Sequence, residues 1–227
     1  MIRTASLILR SDLHSDKKRS DDMSDKILSR KEKKHETVRA LCEGAVSLAL
    51  AVVLSYLEFD IGAQGGSISF TMVPLIVYVL RRGPAYGFSA TLAFGLIKFM
   101  LGGEIIAWQS IVFDYLLAYG VLGIAFVALY IKRCSNAVKA IVGTLIACVV
   151  RFFIHFLSGV TIYAEWMPEE FLGMTMSNVA VYSILYNGLY MLPSTICVLV
   201  AAPVLFEVIE RVLPTRTPAI GKQREAK

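Results

Sequence analysis

An arginine and a histidine stand four residues apart in Arg151-Phe-Phe-Ile-His155-Phe-Leu-Ser-Gly159-Val-Thr-Ile-Tyr163, a stretch that otherwise reads as the outer half of a hydrophobic helix. Residues four apart share a helical face, so Arg151, His155 and Gly159 form one stripe. Of three histidines, His155 is the one outside the polar N-terminal tail. Two more polar groups interrupt apolar segments: Asp114 in Val112-Phe-Asp-Tyr115, and Asn187 in Leu185-Tyr-Asn-Gly188. Ionisable side chains in such surroundings are expensive, turn towards a bundle interior and mark functional sites by default. The plainer reading is that Arg151 and Asp114 neutralise each other and fix helix packing. The company of His155, Asn187 and several tyrosines argues for more than that.

One carboxylate, one imidazole, one carboxamide and several aromatic faces have a definable preference. They suit a small, flat, nitrogen-rich ligand that carries positive charge. The carboxylate supplies countercharge, and the faces of Tyr115, Tyr163, Tyr182 and Tyr186 supply stacking and cation–π attraction. Asn and His read ring donors and acceptors. Arg151 would repel such a ligand, so it is expected below it as a partner of Asp114. Trp108 and Trp166 read equally as ligand contacts and as an interfacial aromatic belt. No P-loop, H-E-x-x-H or G-x-S-x-G motif occurs, so ATP binding by a P-loop and motif-based hydrolysis have no support. No cofactor and no metal site is expected.

The elements that must position these residues are membrane helices. The chain is 56% apolar with a mean hydropathy of +0.62, beyond the range of ordinary soluble domains. Its four cysteines, Cys42, Cys134, Cys148 and Cys197, show no paired spacing, so neither a disulfide framework nor a zinc site is suggested. Residues 1–36 read as a polar, disordered tail, with Met23 as a second candidate start. Residues 37–212 read as a membrane domain with helices near 38–57, 68–82, 84–101, 105–131, 137–163 and 177–211, each long enough or nearly so to span a bilayer. Residues 213–227 form a C-terminal tail. Pro193 and Pro203 predict a kink in the last helix. The glycine-rich stretch from Asp60 to Ser67 reads equally as turn punctuation and as a lid over the pocket.

The basic residues set the orientation. Eleven Lys or Arg precede or include Arg39, two lie at Arg81 and Arg82, three in the loop around Lys132 to Lys139, and five from Arg211 onward. The alternate loops hold none, while Lys98 and Arg151 lie within helices. The positive-inside rule then gives an all-α integral membrane protein with six spans and both termini cytoplasmic. The basic residues follow topology rather than one face, so no nucleic acid is implied. In this arrangement Asp114 and Asn187 lie about 14–15 Å from the outer ends of their helices, and His155 comes to a similar depth.

These residues, in order, resemble the thiamine-specific substrate-binding component of energy-coupling-factor transporters. The likeness covers roughly residues 38 to 212. It is carried by Glu43-Gly-Ala45-Val-Ser-Leu-Ala49, the run from Val73-Pro to Arg81-Arg-Gly83, Phe113-Asp-Tyr-Leu-Leu-Ala118, Phe153-Ile-His155-Phe-Leu-Ser-Gly159 and Tyr182-Ser-Ile-Leu-Tyr-Asn187-Gly188. The resemblance implies a multi-pass protein of a bacterial cell membrane that does no chemistry on its substrate. It also implies partnership with a transmembrane coupling protein and two ATPase subunits. By position, the acidic residue facing the thiazolium falls on Asp114 and its neighbouring tyrosine on Tyr115. The residues reading the pyrimidine fall on His155, Tyr182 and Asn187, and Gly159 matches a backbone contact.

Two positions depart from the family pattern. Asp114 stands where the family usually has Glu, and Tyr163 where it usually has a stacking Trp. A thiamine precursor or degradation product therefore stays open as the ligand. Ala45 and Ala49, four apart beside Gly44, read either as internal packing or as a stripe of small residues that docks the coupling protein; the resemblance favours docking. Two other functions compete: a self-sufficient carrier coupled to protons through Asp114 and His155, and a purely structural membrane protein.

Overall fold

The computed structural model describes residues 30–61, 66–103 and 107–215. Contacts divide the chain into two units, Met1–Leu41 and Cys42–Lys227. The described part of the first, residues 30–41, is helical; the second holds everything discussed below. Residues 1–29 of the expected tail and 216–227 of the C-terminal tail lie outside the described residues, while Arg30–Glu36, read from sequence as tail, are already helical.

Six helical segments follow one another: α1 (Arg30–Ser55), α2 (Met72–Arg82), α3 (Pro84–Met100), α4 (Trp108–Tyr130), α5 (Asn136–Thr161) and α6 (Val179–Val212). Four of them, α1, α4, α5 and α6, are long and apolar enough to cross a membrane. At 11 residues α2 is about 16 Å long, too short to span alone. It starts four residues later than its hydropathy predicts. Ile68 instead closes a hairpin of β1 (Phe59–Asp60) on β2 (Ser67–Ile68), and Ser69 and Thr71 then bond to each other through side chains and backbone.

Each helix carries its own punctuation. Pro74 in the first turn of α2 and Pro84 at the start of α3 sit where a missing N–H costs nothing. Between those helices Gly83 adopts φ 79°, ψ −170°, a conformation essentially reserved for glycine. Ser135 caps α5 by accepting from Val138 N–H, and Asn178 caps α6 by accepting from Ala180 and Val181 N–H. Helix α6 runs unbroken through Pro193 and Pro203. A second hairpin, β3 (Glu170–Phe171) on β4 (Met174–Thr175), turns through Leu172 and Gly173, both at positive φ, as a tight hairpin turn requires.

The core is built around α2, where every residue from Met72 to Arg81 is buried. Ala51, Phe94, Leu122, Ala125, Ala147, Val198 and Phe206 converge on it from the other helices. The outward faces are apolar too: Val149, Phe153, Leu192, Val200 and Val204 are all more than half exposed. An exposed apolar surface of this extent is what lipid contact requires. At one end of α2, Arg81 reaches Glu210 at 2.5 Å and Glu43 at 3.3 Å, and Arg82 reaches Glu43 at 2.6 Å. This cluster ties α1, the α2–α3 corner and the end of α6 together.

Helix α4 is not regular. After one α-turn it widens to a seven-residue π stretch, Ile111–Leu117, then tightens to 3-10 geometry over Val121–Tyr130. Wide turns of this kind concentrate at functional sites, and this one carries Asp114 and Tyr115. Gly95 of α3 abuts it so closely that a Cβ there would lie 2.5 Å from the Tyr115 carbonyl oxygen.

Candidate functional site

A cavity of about 410 Å³ opens among the β1–β2 hairpin, the end of α3, the π stretch of α4, α5 and α6. Its size is that of a pocket for one small molecule. All of the residues singled out as substrate contacts line it: Asp114, Tyr115, His155, Gly159, Tyr163, Tyr182 and Asn187. Trp108 and Trp166 do not; they are 71% and 57% exposed, the disposition of an interfacial belt. Residues 62–65, half of the glycine-rich stretch read as turn or lid, lie outside the described residues.

Asp114 is held by two side chains. Tyr163 donates its hydroxyl to Oδ2 at 3.1 Å, and His155 Nδ1 lies 3.4 Å from Oδ1. The expected pairing of Arg151 with Asp114 does not occur among the described residues. The guanidinium instead stacks 4.1 Å over the ring of Tyr119, and its Nε donates to His155 Nε2 at 3.4 Å. The reason is geometric. Arg151 and His155 share a face of α5, and Tyr119, five residues beyond Asp114 on α4, presents a flat aromatic face to the cation.

Asn187 is 5% exposed and fully engaged by the protein. Its Nδ2 donates to Ser183 O at 2.8 Å, to Ser183 Oγ at 3.2 Å and to His155 O at 3.4 Å, while its Oδ1 accepts from Tyr190 Oη at 2.7 Å. Gly159 permits this. A Cβ there would collide with the Ser183 side chain, so glycine sets the approach of α5 to α6.

Tyr182, Tyr186 and Tyr190 form an aromatic ladder along one face of α6, with ring centroids 5.7 and 5.9 Å apart. The sequence reading stopped at Tyr186; the four-residue spacing from Tyr182 was the signal that reaches Tyr190. Tyr119, Ser183 and Ser194 also line the cavity and were missed, as ordinary residues of apolar helices. On the opposite wall Lys98 forms an ion pair with Glu58 at 2.5 Å, and Ser67 donates to the same carboxylate at 3.1 Å. Lys98, a lone cation within α3, is thereby accounted for: it ties that helix to the hairpin. No group of three His, Cys, Asp or Glu side chains among the described residues could hold a metal ion.

The family model described as Thiamine transporter protein (Thia_YuaJ) matches residues 41–213. The chain belongs to this thiamine transporter family. It is 27% identical to thiamine transporter ThiT of Lacticaseibacillus paracasei over 186 residues, covering 77% of this chain and 90% of the relative. Identity to thiamine transporter ThiT of Bacillus subtilis is also 27%, over 76% of this chain and 93% of that protein. The solved structure of ThiT from Listeria monocytogenes superposes with a TM-score of 0.64 at 26% identity, covering 77% of this chain and 97% of that one. As a member of a transporter family with several apolar helices of spanning length, the chain is a multi-pass cell-membrane protein rather than an enzyme.

Proposed function

We propose that the protein binds thiamine in this cavity, as the substrate-binding subunit for high-affinity uptake. A transmembrane coupling protein and two ATPase subunits energise it. The observation that carries the ligand assignment is the setting of Asp114: its carboxylate meets His155 and Tyr163, with no Arg or Lys paired to it among the described residues, beside aromatic faces of the cavity. A cationic heteroaromatic ring matches that arrangement. Asp114, Tyr115, His155, Gly159, Tyr163, Tyr182 and Asn187 are the proposed contacts. The chain crosses the membrane six times with both termini cytoplasmic, the short α2 lying buried among the other helices; the distribution of basic residues supports this.

Ala45 and Ala49 dock the coupling protein. Both are exposed on α1, and small residues at this spacing let a second helix approach closely. Gly44 beside them is buried against Tyr78 instead. The test is the double variant Ala45→Trp/Ala49→Trp. It is expected to fold and to bind thiamine as tightly as the unmutated chain, yet to lose co-purification with the coupling complex and thiamine uptake in cells. Joint loss of folding and binding would return the stripe to internal packing. The Asp114–His155 contact is what a proton-coupled carrier would use. Uptake by the unmutated chain in cells lacking the coupling protein and ATPases would replace the subunit reading with that one.

A further inference from the structure

Arg151 has no place in the ligand contacts proposed above, yet it lines the cavity and its guanidinium has no carboxylate partner among the described residues. What it touches is His155. An arginine side chain offers only donors and stays protonated in proteins. When Arg151 Nε–H points at His155 Nε2, 3.4 Å away, that ring nitrogen must be the bare acceptor. In a neutral imidazole the single proton then sits on Nδ1. Nδ1 is the atom facing Asp114 Oδ1 at 3.4 Å, so the proton points at the carboxylate. The three groups form one directed series, Arg151 to His155 to Asp114, in which each donates to the next. Tyr163 donates to the other oxygen of Asp114.

We infer that Arg151 is a positioning residue that fixes His155 as the neutral Nδ1–H tautomer and so reserves the charge of Asp114 for the ligand. This rests on the thiamine-binding reading for its ligand, though not for its geometry. Two consequences follow. Both nitrogens of the His155 ring are committed within the protein, so the ring meets the ligand through its face and edge. A histidine whose Nε2 lone pair is occupied by a donor from a permanent cation also has no free site at which to take up a second proton, which separates the site from a proton-coupled carrier. Among the described residues the titratable or charged groups around the cavity are Arg151 on α5, Asp114, Tyr115 and Tyr119 on α4, Tyr163 beyond α5, Tyr182, Tyr186 and Tyr190 on α6, and Glu58, Asp60 and Lys98 on the far wall.

The tautomer is read by nitrogen NMR of purified, ligand-free protein labelled with 15N-histidine, with His14 and His35 replaced by Gln so that His155 gives the only signals. The expected result is the neutral Nδ1–H pattern from about pH 5.5 to about pH 8. An Nε2–H or imidazolium pattern in this protein overturns the inference, and the reading needs no substitution within the cavity. Thiamine affinity by calorimetry gives the second arm. It is expected to vary less than about threefold across that pH range in the unmutated protein. In Arg151→Met it should fall about tenfold or more towards the acid end, where an imidazolium occupies the carboxylate. Arg151→Lys, which restores a cationic donor, should recover the flat profile. An Arg151→Met protein with the same tautomer and the same flat profile also overturns the inference. If the unmutated protein shows the Nδ1–H pattern but binds no thiamine, the ligand assignment fails while the role of Arg151 stands.

Discussion

Replacing Asp114 by Asn removes one charge and almost nothing else. The carboxamide is isosteric, its oxygen accepts from His155 or Tyr163, and the tyrosine hydroxyl can reverse to accept from the new NH₂. The carboxylate is 15% exposed and pairs with no Arg or Lys among the described residues, so its charge is available to a bound cation. At about 4 Å and an effective dielectric near 20, that attraction is about 4 kcal/mol. The unliganded carboxylate recovers part of this from its hydrogen bonds and residual solvent, which puts the expected floor near 2.7 kcal/mol, or about a hundredfold in Kd. Calorimetric titration of purified Asp114→Asn with thiamine measures it directly. A matched analogue in which a neutral thiophene replaces the thiazolium isolates the charge: it should bind the variant and the unmutated protein within about threefold of each other. Thermal unfolding without ligand should be unchanged or shifted upward. Near-normal thiamine binding by a folded Asp114→Asn protein would remove Asp114 from the site, and an equal loss for the neutral analogue would refute the charge argument while leaving the residue in place.

Three other perturbations probe what holds the site in position. Tyr163→Phe keeps the ring but loses the 3.1 Å bond to Asp114; a loss of about 1 kcal/mol, roughly fivefold in thiamine Kd by calorimetry, is expected. Gly95→Ala forces its methyl group against the Tyr115 carbonyl, a backbone atom that cannot rotate away; overpacking of this kind costs about 1–3 kcal/mol, and both the melting temperature and thiamine affinity should fall. Arg81→Met strands Glu43 and Glu210 with reduced pairing at a side chain only 4% exposed. Breaking such a cluster costs about 3–5 kcal/mol, seen as a lowered melting temperature with ligand affinity retained in whatever protein remains folded.

The helices were legible because their physics is local. Uniformly apolar runs, the Arg81-Arg82-Gly83-Pro84 corner and the caps at Ser135 and Asn178 each declare themselves within a few residues, and the observed bounds of α3, α5 and α6 fall within two residues of those expected. Asp114, His155 and Asn187 were legible for a related reason: polarity stands out against an apolar background. The partners of those residues were not. Sequence spacing places Arg151 and His155 on one face, yet says nothing of whether Arg151 meets Asp114 or the ring of Tyr119. That choice depends on the π stretch, which alters the register of α4 around Asp114 and has no sequence signature. The β1–β2 hairpin was likewise hidden: Asp60–Ser67 read as a glycine-rich loop and Ile68 as the start of a helix, because a two-residue strand is too short for alternation to show.

The polar site also constrains how the protein is made. Asp114 emerges from the ribosome well before the groups that satisfy it: Tyr163 follows 49 residues later, and the contact between His155 and Asn187 closes a further separation of 32 residues. Until then α4 presents a bare carboxylate, and α5 a guanidinium and an imidazole, to whatever surrounds them. Lipid is a poor host for any of these groups alone. Release of α4, α5 and α6 into the bilayer as a set, and not one at a time, would spare that cost. The site is thus completed only by its last-synthesised helix, α6, which brings Asn187 to His155.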